Sequence, residues 1–164
     1  MPQDKTLDDL FLDTLKDIYF AEKQILKALP KMAKAAGDPQ LKAGFEEHRS
    51  QTEDHVERLE QIFEMLGKPA RGKTCEAILG IIEEGKEIMD EYGGTPALDA
   101  GLISSAQAVE HYEMARYGTL KAWALLLGRK DAASLLETTY GEESATDRKL
   151  SQLAQGGDNA KAAA

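Results

Sequence analysis

Four long stretches of this chain place apolar residues three and four apart, and polar side chains break each stripe near its middle. That spacing marks amphipathic helices, whose apolar faces must be buried against one another. The first stripe reads Leu7, Leu10, Phe11, Thr14, Leu15, Ile18, Glu22, Ile25, Leu29, Met32, Ala36. The second is Leu41, Phe45, His48, Thr52, His55, Leu59, Ile62, Leu66. The third is Leu98, Leu102, Ser105, Val109, Glu113, Arg116, Leu120, Trp123, Leu127. The fourth is Ala132, Leu135, Leu136, Thr139, Glu143, Thr146, Leu150, Leu153.

Local signals set the boundaries. Thr6 is the cap candidate of the first helix, with Asp9 three residues on as a weaker version of the capping box. Pro30 lies inside that helix and predicts a kink near Ala28. Gly37-Asp38-Pro39, Gly67-Lys68-Pro69, Gly93-Gly94-Thr95-Pro96 and Gly128 are stops. The spacing predicts helices over 6–36, 39–66, 97–127 and 130–154, with a fifth at 75–92 inside the long connection. The two short links require antiparallel hairpins. The fold class is therefore all-α. Two hairpins make a four-helix bundle with an extra helix in the long crossover between helices 2 and 3, which is the ferritin-like topology. Residues 1–155 read as one domain, and the Gly/Ala-rich residues 156–164 as a flexible tail.

Composition narrows the function. A net charge of -9 leaves no basic stripe for nucleic acid or for an anionic membrane surface. No apolar run reaches the ~20 residues of a membrane span, and the acidic stretch Met1–Leu12 is no secretory leader. With Cys75 as the one cysteine, no intrachain disulfide forms, and a cytoplasmic protein is expected. Cys75 stands at the start of the crossover helix, where the dipole can lower a thiol pKa, but it reads as structural.

The polar breaks in the stripes carry the chemistry. At about 100° per residue, Glu22, Glu113 and Glu143 each lie about 40° from an inward neighbour, so all three point into the core. Glu110 and Asp147 fall at stripe edges, and His48, Thr52 and His55 are central on the second helix. Glu22 and Thr52 stand about fifteen residues either side of the first hairpin turn, and Glu113 and Glu143 straddle the second in the same way. One polar layer crosses the bundle. Buried carboxylates are costly unless they are paired or hold a cation. Carboxylate and imidazole donors suit iron, manganese or zinc, and two ions are usual where four or more acids converge. The candidate metal ligands are Glu22, His55, Glu110, Glu113, Glu143 and Asp147, with His48 nearby; iron or manganese, one or two ions, is the expected cofactor. In the competing reading the layer is a structural salt-bridge network, with Glu22 paired to Arg116, and the protein acts by association. His111 reads as an exposed or dimer-face residue, Glu47 and Glu53 as solvated, and Tyr19, Tyr112 and Tyr117 as packing residues, with Tyr112 able to hydrogen-bond a ligand.

The segments Leu15–Gln24, Arg58–Phe63, Lys73–Ala77 and Val109–Glu113 give the chain a resemblance to the YciE/YciF-type stress proteins, a branch of the ferritin-like superfamily related to rubrerythrins. The resemblance implies one Glu on the first helix, Glu-x-x-His on the second, one or two Glu on the third and Glu-x-x-His on the fourth. Glu22, Glu110, Glu113 and Glu143 fit those places. The second helix instead reads Thr52-x-x-His55 and the fourth Glu143-x-x-Thr146. An asymmetric or single-metal site is thereby left open, with Asp147 and His48 as replacements. The implied role is iron, oxygen or peroxide handling under stress. Ile78, Leu79, Ile81, Ile82, Ile88 and Met89 spread over more than one face of the crossover helix, which predicts a homodimer rather than a cage.

Overall fold

The computed structural model describes residues 4–164; residues 1–3, where the expected domain and the acidic N-terminal stretch begin, lie outside the described residues. The chain is all-α. It forms α1 (Leu7–Ala35), α2 (Pro39–Met65), α3 (Glu76–Tyr92), α4 (Leu98–Leu126) and α5 (Lys130–Leu153). Every expected helix is present, and the boundaries agree within two residues. Among the described residues there is no strand.

Local chemistry explains each end. Asp9 accepts from the Thr6 N–H at 2.8 Å while Thr6 Oγ1 accepts from the Asp9 N–H at 3.2 Å, which closes the capping box. α1 continues past Pro30, whose ring lies on the exposed side. Asp38 caps α2, with Pro39 at its first turn. Gly128 adopts φ 73°, and the Arg129 N–H returns to the Ala124 carbonyl at 2.8 Å, reversing the chain between α4 and α5.

α1 with α2 and α4 with α5 make the two hairpins, and α2 packs on α5 and α1 on α4 to close the bundle. α3 lies across α1 and α4. Its approach depends on small residues: a Cβ at Gly101 would stand 2.6 Å from Ile88 Cγ2. The strap before α3 is tied to α1 where the Lys73 N–H donates to the Lys16 carbonyl at 3.0 Å. Asp99, in the first turn of α4, accepts from the Gly37 and Asp38 N–H groups at 2.8 Å each and so fixes the first hairpin turn against the second hairpin.

The chain after Leu153 differs from the sequence reading. A π turn at Ala154–Asp158 leads to a short helix, α6 (Asn159–Ala163), which packs back on α4. Asp158 is buried there.

Candidate metal centre

The polar layer is present and almost wholly buried. Glu22, His55, Glu110, Glu113 and Glu143 each have 0% exposure and His48 has 3%. The apolar phase of each helix delivers them: Glu22 follows Ile18 on α1, His48 and His55 flank Thr52 on α2, and Glu143 follows Thr139 on α5. α4 supplies both Glu110 and Glu113, so the residue expected at the stripe edge is as buried as the central one.

Two donor sets form. His48, Glu110, Glu113 and Glu143 present ligand atoms within 4.8 Å of one another, and so do Glu22, His55 and Glu143. Glu143 belongs to both. His55 Nδ1 lies 2.8 Å from Glu143 Oε1 and 3.5 Å from Glu22 Oε2. His48 Nδ1 lies 3.0 Å from Glu110 Oε1, and its Nε2 lies 3.7 Å from Glu143 Oε2.

Few of these atoms have a proper hydrogen bond. Eleven buried side-chain polar atoms among the described residues lack a partner, and nine of them belong to this layer. They are one oxygen of Glu22, both oxygens of Glu110, Glu113 and Glu143, His48 Nε2 and His55 Nδ1. Buried polar groups are paired almost everywhere in folded proteins, and each orphan costs about 1–3 kcal/mol. A concentration of metal-type donors without partners at one level is what a cation site looks like.

The surroundings orient the donors. Tyr117 donates to Glu22 Oε1 at 3.1 Å, which turns Oε2 toward the centre. His55 Nε2 lies 2.8 Å from Glu142 Oε2, and Arg58 holds that carboxylate at 3.0 and 2.8 Å. A carboxylate behind the imidazole fixes the tautomer that leaves Nδ1 free to ligate. Thr52, at the place of the missing Glu, turns its hydroxyl to the His48 carbonyl at 2.7 Å and supplies no ligand. Glu142→Gln is expected to keep the fold and weaken metal binding about 10–100-fold, measured by competition with a chelating dye.

Proton affinities follow from the same crowding. Burial opposes charge on His55, but Glu143 and Glu22 outweigh it and push its pKa up to about 10. His48 is also raised well above the usual imidazole value, with burial opposed by Glu110 and Glu143. Burial, then the charges of Glu143 and Glu22, lifts Glu113 well above the usual carboxyl value. Burial and Glu143 lift Glu110, with His48 partly offsetting them. Burial also penalises charge on Glu143, yet the facing Glu110, Glu113, His48 and His55 groups hold it well below the usual range. Without a cation, the layer retains protons in its place.

Two expected participants lie elsewhere. Asp147 faces His111 at 3.1 Å and Gln107 at 3.2 Å, on the outer side of α4 and α5, and joins neither donor set. Arg116 is exposed and stacks on Tyr112 at 5.1 Å instead of reaching Glu22. Tyr117 occupies the inward position. A step of 3.6 residues from Glu113 falls between the two, and the uncharged ring is the one that can be buried. Glu142 and Arg58 escaped the sequence reading, and Tyr117, expected only to pack, also orients Glu22; the one available signal for Glu142 was the Glu142-Glu143 pair. Tyr112 donates to Asp17 and lies 3.0 Å from Cys75 Sγ. Burial raises the Cys75 thiol pKa, so no dipole-activated thiolate forms.

The chain matches, over residues 6–163, a family described as a domain of unknown function, DUF892. It is 42% identical over 159 residues to protein YciF of Escherichia coli strain K12, which covers 96% of each chain. The crystal structure of the E. coli stress protein YciF superposes with a TM-score of 0.90 at 41% identity, covering 95% of this chain and 99% of that one. YcfI of Rhodopseudomonas palustris, described provisionally as a structural protein, gives 0.88 at 46% identity over 92% and 97%. A Xanthomonas campestris protein at 20% identity and TM-score 0.74, covering 94% of each chain, shares the fold. The resemblance read from the sequence is borne out.

Proposed function

The chain belongs to this DUF892 family, and from its buried donor layer we propose that it is a metal-binding ferritin-like protein with two ion positions in the bundle core. The observation that carries this reading is the set of nine orphaned donor atoms at one level. Glu22, His55 and Glu143 would hold one ion, and His48, Glu110, Glu113 and Glu143 the other. Iron is the better fit to a role in oxygen or peroxide handling, with manganese as the alternative; a bound iron would supply one-electron chemistry toward those oxidants. The residues themselves orient and enclose. Tyr117 and Glu142 set the angles of Glu22 and His55, and Thr52 fills the place of a ligand without charge. His48, at the place of neither expected motif, supplies the second imidazole. The name of the E. coli relative suggests a stress setting, and the lone cysteine fits the cytoplasm. Among the described residues no helix is long and apolar enough to cross a membrane.

A second reading has its own support. The His48–Glu110 contact at 3.0 Å and the His55–Glu143 contact at 2.8 Å make ion pairs without any metal. Titration of metal-free protein with manganese or ferrous iron separates the two. Two ions per chain are expected; absence of binding above a chelator-treated blank leaves the ion-pair network as the role of the layer.

We further infer a homodimer. Leu79 and Tyr92 are exposed on α3, and Leu125 and Leu126 are exposed at the end of α4, the last at 77%. Apolar surface of this kind favours self-association. Light scattering is expected to give twice the chain mass, and a monomer at all concentrations removes the inference.

A further inference from the structure

A cavity of about 440 Å³ opens between α1, α3 and α4 and ends on His48 and Glu110. Its size lies within the range of small-molecule sites. Its walls are apolar, built from Ile25, Leu29, Met32, Ile82, Met89 and Val109. Its mouth is not. Lys27, Lys31 and Lys86 line it, with Asp90 as the one acid besides the floor. These three lysines are exposed, and none of them is among the lysines that pair with a carboxylate. In a chain of net charge -9, an unpaired basic rim runs against the average and focuses anions. The floor is the other end of the pattern: Glu110 is fully buried, with Oε1 3.0 Å from His48 Nδ1 and neither oxygen in a hydrogen bond, and His48 Nε2 lacks a hydrogen bond too. A second cavity, of about 410 Å³ between α2 and α5, also touches His48. Its mouth lysine, Lys149, is already paired with Glu47 at 2.6 Å, so it lacks this feature.

We propose that the α1–α3–α4 cavity binds a free straight-chain alkyl carboxylate, its head on Lys27, Lys31 and Lys86 and its tail directed at His48 and Glu110. The head stays at the solvated rim, because carrying a carboxylate down to the fully buried floor strips its hydration. The tail's arrival at a metal rests on the proposed function; binding itself does not. The amphiphile is recognised by two independent features, a desolvated apolar wall and a solvated cationic rim. Each should fail separately.

Calorimetry on the full chain tests this, with decanoate added to metal-free and to manganese-loaded protein. One decanoate per chain is expected, with decyltrimethylammonium, of like length and opposite charge, binding at least about tenfold more weakly. Lys27→Glu with Lys31→Glu, on the surface, should weaken decanoate at least about tenfold, and Ile82→Trp should block the cavity. Both variants should keep wild-type helicity and manganese binding. Decanoate bound equally by wild type and both variants, or decyltrimethylammonium bound as tightly, overturns the proposal. Manganese bound without decanoate overturns the cavity assignment alone. Decanoate bound without manganese keeps the cavity and removes the metal reading.

Discussion

Glu143→Ala is expected to remove both ions at once. Glu143 is the one side chain in both donor sets, so its loss leaves Glu22 and His55 at one position and three donors at the other. Two ligands do not hold a divalent ion in competition with water, and the second position loses the carboxylate that faces His48 Nε2 at 3.7 Å. Affinity should fall by more than the roughly 100-fold that marks loss of an outer-shell partner. The metal-free variant will also be less stable, because His48 and His55 lose their shared carboxylate; about 3 kcal/mol is the scale for breaking a buried pair. Stability alone therefore does not decide the matter, and ion counting must accompany it. Asp147→Ala is the control. It removes an acid one turn from Glu143 that faces His111 and Gln107, and it should leave both ions in place. If the Asp147 variant loses metal as completely as the Glu143 variant, the two-set geometry is wrong.

The contrast between those two acids shows what the sequence could and could not reveal. Glu143 was legible because a carboxylate in the apolar phase of a helix has no inexpensive alternative to a partner or a cation. The same reasoning exposed Glu22, Glu113, His48 and His55, all of which meet in the layer. Helical phase is coarse at the margins, however. Glu110 and Asp147 both sit at stripe edges, and phase gives them equal standing. The packing separates them: α3 and α1 cover the Glu110 side of α4, whereas His111 draws Asp147 outward. That distinction depends on which helices lie against an edge, which no single stripe records. Arg116 and Tyr117 pose the same ambiguity, and the cost of burying a guanidinium decides it. Glu142 was illegible for another reason. On α5 alone it belongs to the wet face, and its role comes from Arg58 and His55 on α2.

Raising the pH should destabilise the metal-free protein and widen its gap from the loaded one. His55 binds its proton more tightly folded than unfolded, with its pKa pushed from 6.5 up to about 10. Its contribution to stability is fully present below pH 6.5 and is lost as pH rises toward 10. His48 moves in the same direction. Glu110 and Glu113, raised by burial and by facing carboxylates, also favour the folded state while protonated and penalise it once ionised. Glu143 is depressed; its contribution is present above the usual carboxyl range and is lost only in strong acid. Above pH 6.5, loss of the His55 proton therefore destabilises the metal-free fold, and the raised His48, Glu110 and Glu113 act in the same direction. Each titrating group contributes up to about 1.4 kcal/mol per pH unit, or roughly 3–5 °C in a chain of this size. Ions reverse the balance, because rising pH removes the protons that compete for the same donors. Metal at 100 times its Kd adds about 2.7 kcal/mol, and that increment should grow with pH. Thermal melts at pH 6.5, 8 and 9.5, with chelator and with manganese, make the comparison. Diverging curves are the expected result. Parallel curves, with the metal making no difference at any pH, would mean that the layer holds its protons for structure alone.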